Sequence, residues 1–134
     1  HPYLPQNEML AFCQKENIVL TAYSPLGSRD RPAPFKAADE PDLFTHPVIA
    51  GIAEKHGCTP AQVLLQWAIA RGTAVIPKSV NPQRIRQNFE AAALRLGAED
   101  MAAIAGIDQS YRFISGTFWT EGDTPYTLKS LWEE

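Results

Sequence analysis

The sequence predicts an α/β fold built on parallel strands, and it predicts only part of one. Three observations carry this. Two short apolar runs rich in β-formers, Ile18 to Tyr23 (IVLTAY) and Thr73 to Pro77 (TAVIP), read as buried strands. Longer segments with helical periodicity surround them, and strands alternating with helices imply a parallel sheet covered on both faces. Finally, the 134 residues hold only these two confident strands. Two parallel strands neither close a barrel nor make a good open sheet, and a complete (β/α)8 barrel runs to about 250 residues. The expectation is roughly half of a domain.

Each element has its own signal. The opening HPYLP is extended, because both prolines disfavour helix in the residue before them. Asn7 to Glu16 is predicted helical, with Met9, Phe12 and Cys13 on one face at the i, i+3, i+4 spacing. The first strand ends at the turn composition Ser24-Pro25-Leu26-Gly27-Ser28. Arg29 to about Phe44, with Pro32, Pro34 and Pro41, is a long loop, and long loops in compact domains are often functional. Thr45 and Pro47 open a helix bearing Val48, Ile49, Ile52 and Ala53 on one face, closed by Gly57. Thr59 caps a second helix with Pro60 at its first position. It runs to Arg71, ends at Gly72 and carries the stripe Val63, Leu64, Trp67 and Ala68. After the second strand, Asn81 caps and Pro82 starts a helix that turns Ile85 and Phe89 toward a core. A break at Leu96-Gly97 precedes a last helix, about Glu99 to Ile107, and a tail from Asp108 containing Trp119, Tyr126 and Trp132. The whole of 1–134 is expected to be one partial domain, 1–107 being the helix and strand units and 108–134 the tail.

Composition narrows the function classes. With 45% hydrophobic and 20% charged residues the chain is globular rather than disordered. A formal net charge of -3 and a pI near 5.6 argue against nonspecific nucleic-acid binding. Cys13 and Cys58 make no disulfide framework and have no metal-ligand spacing around them, so both are expected as small buried thiols in helices. His1, His46 and His56 form no ligating pattern, and no metal site is expected. No apolar run approaches the roughly 20 residues of a membrane span, and no signal-peptide pattern opens the chain. A reducing, cytoplasmic setting is the expectation. The chain begins with His1, which reads as a processed product, a fragment or an incomplete gene.

In parallel barrels the working residues sit just after the carboxyl ends of the strands. Two loops qualify. In the first, Tyr23 at a strand end can stack on a planar ligand such as a nicotinamide, with serine hydroxyls beside it for a pyrophosphate. The competing reading is an edge tyrosine followed by a plain turn. In the second, Pro77 to Arg84 joins a strand to a helix N-terminus, where backbone N–H groups and the dipole attract anions. Lys78 adds charge, Ser79 a hydroxyl and Arg84 a planar fork suited to phosphate, with Gln87 and Asn88 on the same helical face. The competing reading is a solvated basic face. The sequence holds no GxGxxG, P-loop or GxSxG motif.

Three runs then make the resemblance specific. TAYSPLGS (Thr21 to Ser28), TPAQVLLQWAIARG (Thr59 to Gly72) and VIPKSVNPQRIRQN (Val75 to Asn88), in this order, resemble the aldo-keto reductase superfamily. The opening HPYL is similar to the segment after the sixth barrel strand of that family. The resemblance implies the C-terminal part of a (β/α)8 TIM barrel, about strands 7 and 8 with their helices and C-terminal loop. It implies NADP(H) as cofactor and reduction of aldehyde or ketone carbonyls by hydride transfer. Tyr23 matches the aromatic that stacks on the nicotinamide, and Ser24, Leu26 and Ser28 match the loop around the pyrophosphate. Lys78, Ser79 and Arg84 match the clamp on the 2′-phosphate, and Gln87 and Asn88 the adenine positions. The tail, FISGTFW and YTLKSLWEE, resembles fungal glycerol or glyceraldehyde reductases and xylose-reductase-like members, with Phe118 and Trp119 as substrate-pocket wall.

The resemblance also implies what is absent. The family's catalytic tyrosine, lysine, histidine and aspartate belong to the first half of the barrel. No catalytic residue is therefore assigned, and Tyr3, Tyr111 and Tyr126 are not nominated as proton donor. The chain alone is expected to be inactive and prone to self-association through open strand edges. The expected partner is a small carbonyl compound, with no nucleic acid or membrane, and the parent a monomer or dimer. The alternatives are an NADPH-binding regulatory relative without turnover and an inactive truncated product.

Overall fold

A computed structural model describes residues 1–132. In chain order the helices are α1 (Asn7–Lys15), α2 (Pro47–Lys55), α3 (Pro60–Ala70), α4 (Pro82–Glu90), α5 (Ala98–Ala105) and α6 (Leu128–Trp132). The strands are β1 (Thr21–Ala22), between α1 and α2, and β2 (Ala74–Val75), between α3 and α4. They pair in parallel with Thr21 opposite Ala74 and Ala22 opposite Val75. The α/β class and the parallel pairing match the sequence expectation. No helix among the described residues is long and apolar enough to cross a membrane.

Local chemistry explains where the helices start and stop. The α3 N-terminus is a reciprocal capping box, in which the Gln62 N–H donates to the Thr59 hydroxyl (3.3 Å) and the Thr59 N–H to the Gln62 side chain (3.0 Å). Asn81 caps α4 by accepting from the Arg84 N–H at 3.1 Å. α2 is capped by His46, whose Nδ1 accepts from the Val48 N–H (3.2 Å), rather than by the expected Thr45. Both α2 and α3 end on a left-handed glycine, Gly57 (φ 60°) and Gly72 (φ 82°). The next N–H then reaches back to satisfy a last-turn carbonyl, Cys58 to Ala53 at 2.9 Å and Thr73 to Ala68 at 3.1 Å.

The core forms around α3, where Val63, Leu64, Leu65, Gln66, Trp67 and Ala68 are all buried. α2 packs against it through Ile49, Ile52 and Ala53, and α5 closes the other side of α2 through Ile104. Tyr3, Leu43, Ile107 and Phe113 complete the cluster from loops. Arg71 at the end of α3 ties down the N-terminal segment. It donates to the Pro5 carbonyl (2.8 Å) and the Asn7 side chain (2.7 Å) while stacking over Trp67 at 4.3 Å.

Several expectations need correction, most for one reason. The strands hold two residues each rather than five or six, and Ile18, Val19 and Ile76 are exposed at 52%, 73% and 59%. With no third strand among the described residues, Ile18, Val19 and Ile76 have neither a ladder partner nor a covering layer. Ile85 and Phe89 on α4 are exposed rather than core-facing, Phe89 at 84%. On α1 the buried residues are Leu10 and Cys13, whereas Met9 and Phe12 face out. Cys58 lies in the bend after α2, half-buried, not in a helix. The tail is more ordered than expected, with a 3-10 turn at Thr117–Thr120 and the short α6.

Asp100 at the start of α5 joins that helix to α2. Its buried carboxylate accepts from Lys55 Nζ and pairs with His56 Nε2, both at 2.8 Å, and also accepts from the Gly97 N–H at 3.0 Å. The hydrogen bond from Lys55, then that from His56, lowers the Asp100 pKa from 3.8 to about 2 against the opposing effect of desolvation. The folded carboxyl therefore stays charged to lower pH than the unfolded one. Its contribution to stability is full above the ordinary 3.8 and disappears as pH falls through about 2. In the complete protein, urea unfolding should show a midpoint that drops between about pH 5 and pH 2, and Asp100→Asn should flatten that segment; equal slopes for both proteins would show the network to be unimportant. Asn81→Ala should cost about 1 kcal/mol in the same assay near neutral pH; no change in midpoint would mean that solvent replaces the cap at no cost.

Candidate nucleotide site at the strand ends

Because β1 and β2 are parallel and in register, both release their loops at the same edge of the pair. Tyr23 follows β1 directly and is 53% exposed, its ring free of the core. The next residues form a tight turn in which the Gly27 N–H donates to the Ser24 carbonyl at 2.9 Å. Ser24 (φ 50°), Gly27 (φ 79°) and Ser28 (φ 51°) all take the left-handed conformation. For two serines this is a sparsely populated region, of the kind held by surrounding structure and concentrated at ligand sites. Pro25 is buried and Leu26 packs against the core, so the turn is anchored from below while its polar residues stay accessible.

The second loop supplies positive charge. Lys78 reaches across to the first loop, its Nζ 2.8 Å from Asp30 Oδ2, and so joins the two strand-end segments. The Lys78 hydrogen bond is the main cause of a lowered Asp30 pKa, with a backbone hydrogen bond second. Ser79 Oγ accepts from the Asn81 N–H at 3.1 Å. Arg84 lies exposed in the first turn of α4, and Gln87 and Asn88 follow on the next turn, half-buried. Lys78 and Ser79 thus precede α4 and Arg84 lies in its first turn, at a helix end whose dipole attracts anions.

A cavity of about 150 Å³ opens beside β1, lined by Tyr23 and Ser24 together with Trp67, Arg71, Arg112 and Phe113. Lys78, Ser79, Arg84, Gln87 and Asn88 do not line it, so the clamp is an open surface and not part of that cavity. Phe118 and Trp119 sit on the 3-10 turn of the tail, exposed at 44% and 57%, with ring centroids 4.7 Å apart. They line neither this cavity nor a second one beside Leu26 and Phe113. Two residues escaped the sequence reading: Asp30, which engages Lys78, and Arg31, buried beneath the loop. The alternation Arg29-Asp30-Arg31 inside a proline-rich loop was the available signal, since charges of alternating sign in so constrained a segment seek defined partners.

An aldo/keto reductase of Synechocystis sp. is 59% identical over 134 residues, covering 100% of this chain and 41% of the relative. The NAD(P)H-dependent D-xylose reductase of Aspergillus niger is 49% identical over 119 residues, covering 84% of this chain and 36% of that protein. Aldo-keto reductase family 1 member A1 of Bos taurus is 43% identical over 122 residues, 91% of this chain and 37% of its own. The chain therefore spans about two-fifths of the length of these relatives. The family profile for the Aldo/keto reductase family matches residues 1–109, which include both strands and both strand-end loops, and the chain belongs to that family.

Proposed function

We propose that this chain is the C-terminal part, about strands 7 and 8, of a (β/α)8 barrel that reduces aldehyde or ketone carbonyls with NADPH, and that it supplies the cofactor-binding wall. The observation that carries this is the gathering of Lys78, Ser79 and Arg84 at the α4 N-terminus, beside the left-handed serine turn. This donor set fits a phosphorylated dinucleotide. The backbone N–H groups and Lys78 provide charge without directional demand, whereas the planar fork of Arg84 suits two phosphate oxygens. Gln87 and Asn88 are placed to hydrogen-bond a purine edge, and Ser24 and Ser28 to meet a pyrophosphate. The Tyr23 ring, exposed at the strand end, can hold a nicotinamide face-on.

When bound, the cofactor supplies the hydride; the work of this chain is to bind, orient and discriminate. The proton for the carbonyl oxygen comes from a side chain outside these residues. Tyr3 is buried against Phe113 and its hydroxyl faces the Asp42 carbonyl at 3.4 Å. Burial raises its pKa, the opposite of what a proton donor of lowered pKa requires. Phe118 and Trp119 are the proposed substrate wall, and a carbonyl compound of sugar or glyceraldehyde type is the proposed substrate. A cytoplasmic monomer or dimer is the proposed form of the whole protein.

In the complete enzyme, Arg84→Ala should weaken NADPH by about tenfold or more while leaving NADH nearly unchanged, because only the former carries the 2′-phosphate. Fluorescence titration with both cofactors measures this, and equal loss for the two would remove Arg84 from that role. The 134-residue chain alone should show no NADPH-dependent reduction of glyceraldehyde; clear turnover by the purified chain would mean that it contains its own acid.

A further inference from the structure

We propose that Arg31 is a positioning residue that couples the cofactor loop to the C-terminal tail, so that the binding of cofactor and the shaping of the substrate wall are linked. This rests on the reading of residues 23–28 and 78–88 as the dinucleotide site. The Arg31 side chain is 8% exposed and forms an ion pair with the Glu40 carboxylate, itself 15% exposed. The guanidinium donates to the Gly27 carbonyl at 3.0 Å, the Ser28 carbonyl at 3.1 Å and the Phe35 carbonyl at 2.9 Å. Its charged end lies 5.6 Å from the centre of the Phe113 ring. One side chain thus holds the serine turn, the middle of the long loop, its far end and the tail.

The contacts are of a kind that transmits position. Two consecutive carbonyls held by one guanidinium nitrogen, Nη1, fix the peptide planes that follow Gly27 and Ser28, both left-handed and therefore reliant on outside support. The neighbouring Asp30 is aimed by the same backbone at Lys78. On the other side, Phe113 is 5% exposed and packed between Tyr3 and Tyr111. A Cβ at Gly27 would lie 3.1 Å from its ring, so turn and tail already touch without slack. Farther along the same segment come Ser115, whose carbonyl accepts from the Trp132 indole at 2.8 Å, and then Phe118 and Trp119. A displacement of the turn reaches the aromatic wall through Arg31 and Phe113. A side chain needed only to fill this space would not require a guanidinium donating to three carbonyls and a half-buried carboxylate to balance it.

The test uses the complete enzyme and three variants: Arg31→Met combined with Glu40→Gln, which avoids stranding a buried charge; Phe113→Leu; and all three changes together. NADPH affinity is read by fluorescence titration with and without a saturating alcohol product, and KM and kcat by steady-state kinetics. The Arg31→Met, Glu40→Gln protein should bind NADPH about tenfold more weakly, raise the carbonyl KM severalfold with little change in kcat, and lose the effect of alcohol on NADPH affinity. Phe113→Leu should raise both constants, and the triple variant should be no worse than the worse parent. A lower melting temperature with unchanged NADPH affinity and KM would reduce Arg31 to a structural role and overturn the proposal. So would an additive triple variant. Failure of the wild-type enzyme to bind NADPH would instead bring down the site reading, and this coupling with it.

Discussion

The burial of α3 is the constraint on which the rest depends. Six consecutive residues of this helix, Val63 to Ala68, are buried, which a one-sided amphipathic helix cannot achieve. Packing on α2, on α4 and the 3-10 turn at Ala91–Ala93 that follows it, and on β2 together accounts for it. A helix covered on several sides must be placed before either strand end can be. α3 also delivers the chain to β2, through the tight turn at Gly72 and the Thr73 N–H bonded back to Ala68. The register of β2 on β1 and the common direction of the two loops follow from that placement. Trp67 shows the linkage in one residue. It sits in the core, lies under the Arg71 guanidinium that fixes the N-terminal segment, and lines the cavity beside Tyr23.

Against this helical framework the strands are minimal. A parallel ladder needs a neighbour on each side to pair its backbone and a layer on each face to bury its side chains. Here each strand has one neighbour, and pairing stops after two residues. The apolar residues that the pattern assigned to strand interiors, Ile18, Val19 and Ile76, are then left in solvent. Phe89 and Ile85 on α4 belong to the same class. Among the described residues nothing covers these apolar side chains, although their pattern is that of buried positions.

The elements most legible in the sequence were those written in local chemistry. Pro60 after Thr59, Pro82 after Asn81, and the glycines at 57 and 72 mark helix ends through interactions spanning a few residues, and the structure places the ends there. The stripe on α3 was likewise readable from its period. The failures concern tertiary neighbours. Periodicity says that Met9 and Phe12 share a face with Cys13, but not which side of α1 meets the rest of the molecule, and Leu10 and Cys13 are the residues that do. The proposed phosphate clamp could be picked out because a cation, a hydroxyl and an arginine at a helix start lie close in sequence. Arg31 could not, because its partners, Glu40 and Phe113, are brought to it by folding.

Two of the long loop's ion pairs, Lys78–Asp30 and Arg31–Glu40, divide its work between them. Lys78 and Asp30 are both exposed, and such pairs are screened by solvent and exchange partners readily. Lys78 would therefore give up little by turning to the phosphate proposed for it. Arg31 and Glu40 are nearly enclosed. Removing one member of a buried pair typically costs roughly 3–5 kcal/mol, because the other charge is left without solvent or partner. The loop is therefore pinned where its backbone passes beneath the serine turn and tethered loosely where it faces the clamp. Motion at Asp30 is permitted, and the conformation of Gly27 and Ser28 is kept. Both properties come from adjacent residues of opposite charge, Asp30 and Arg31.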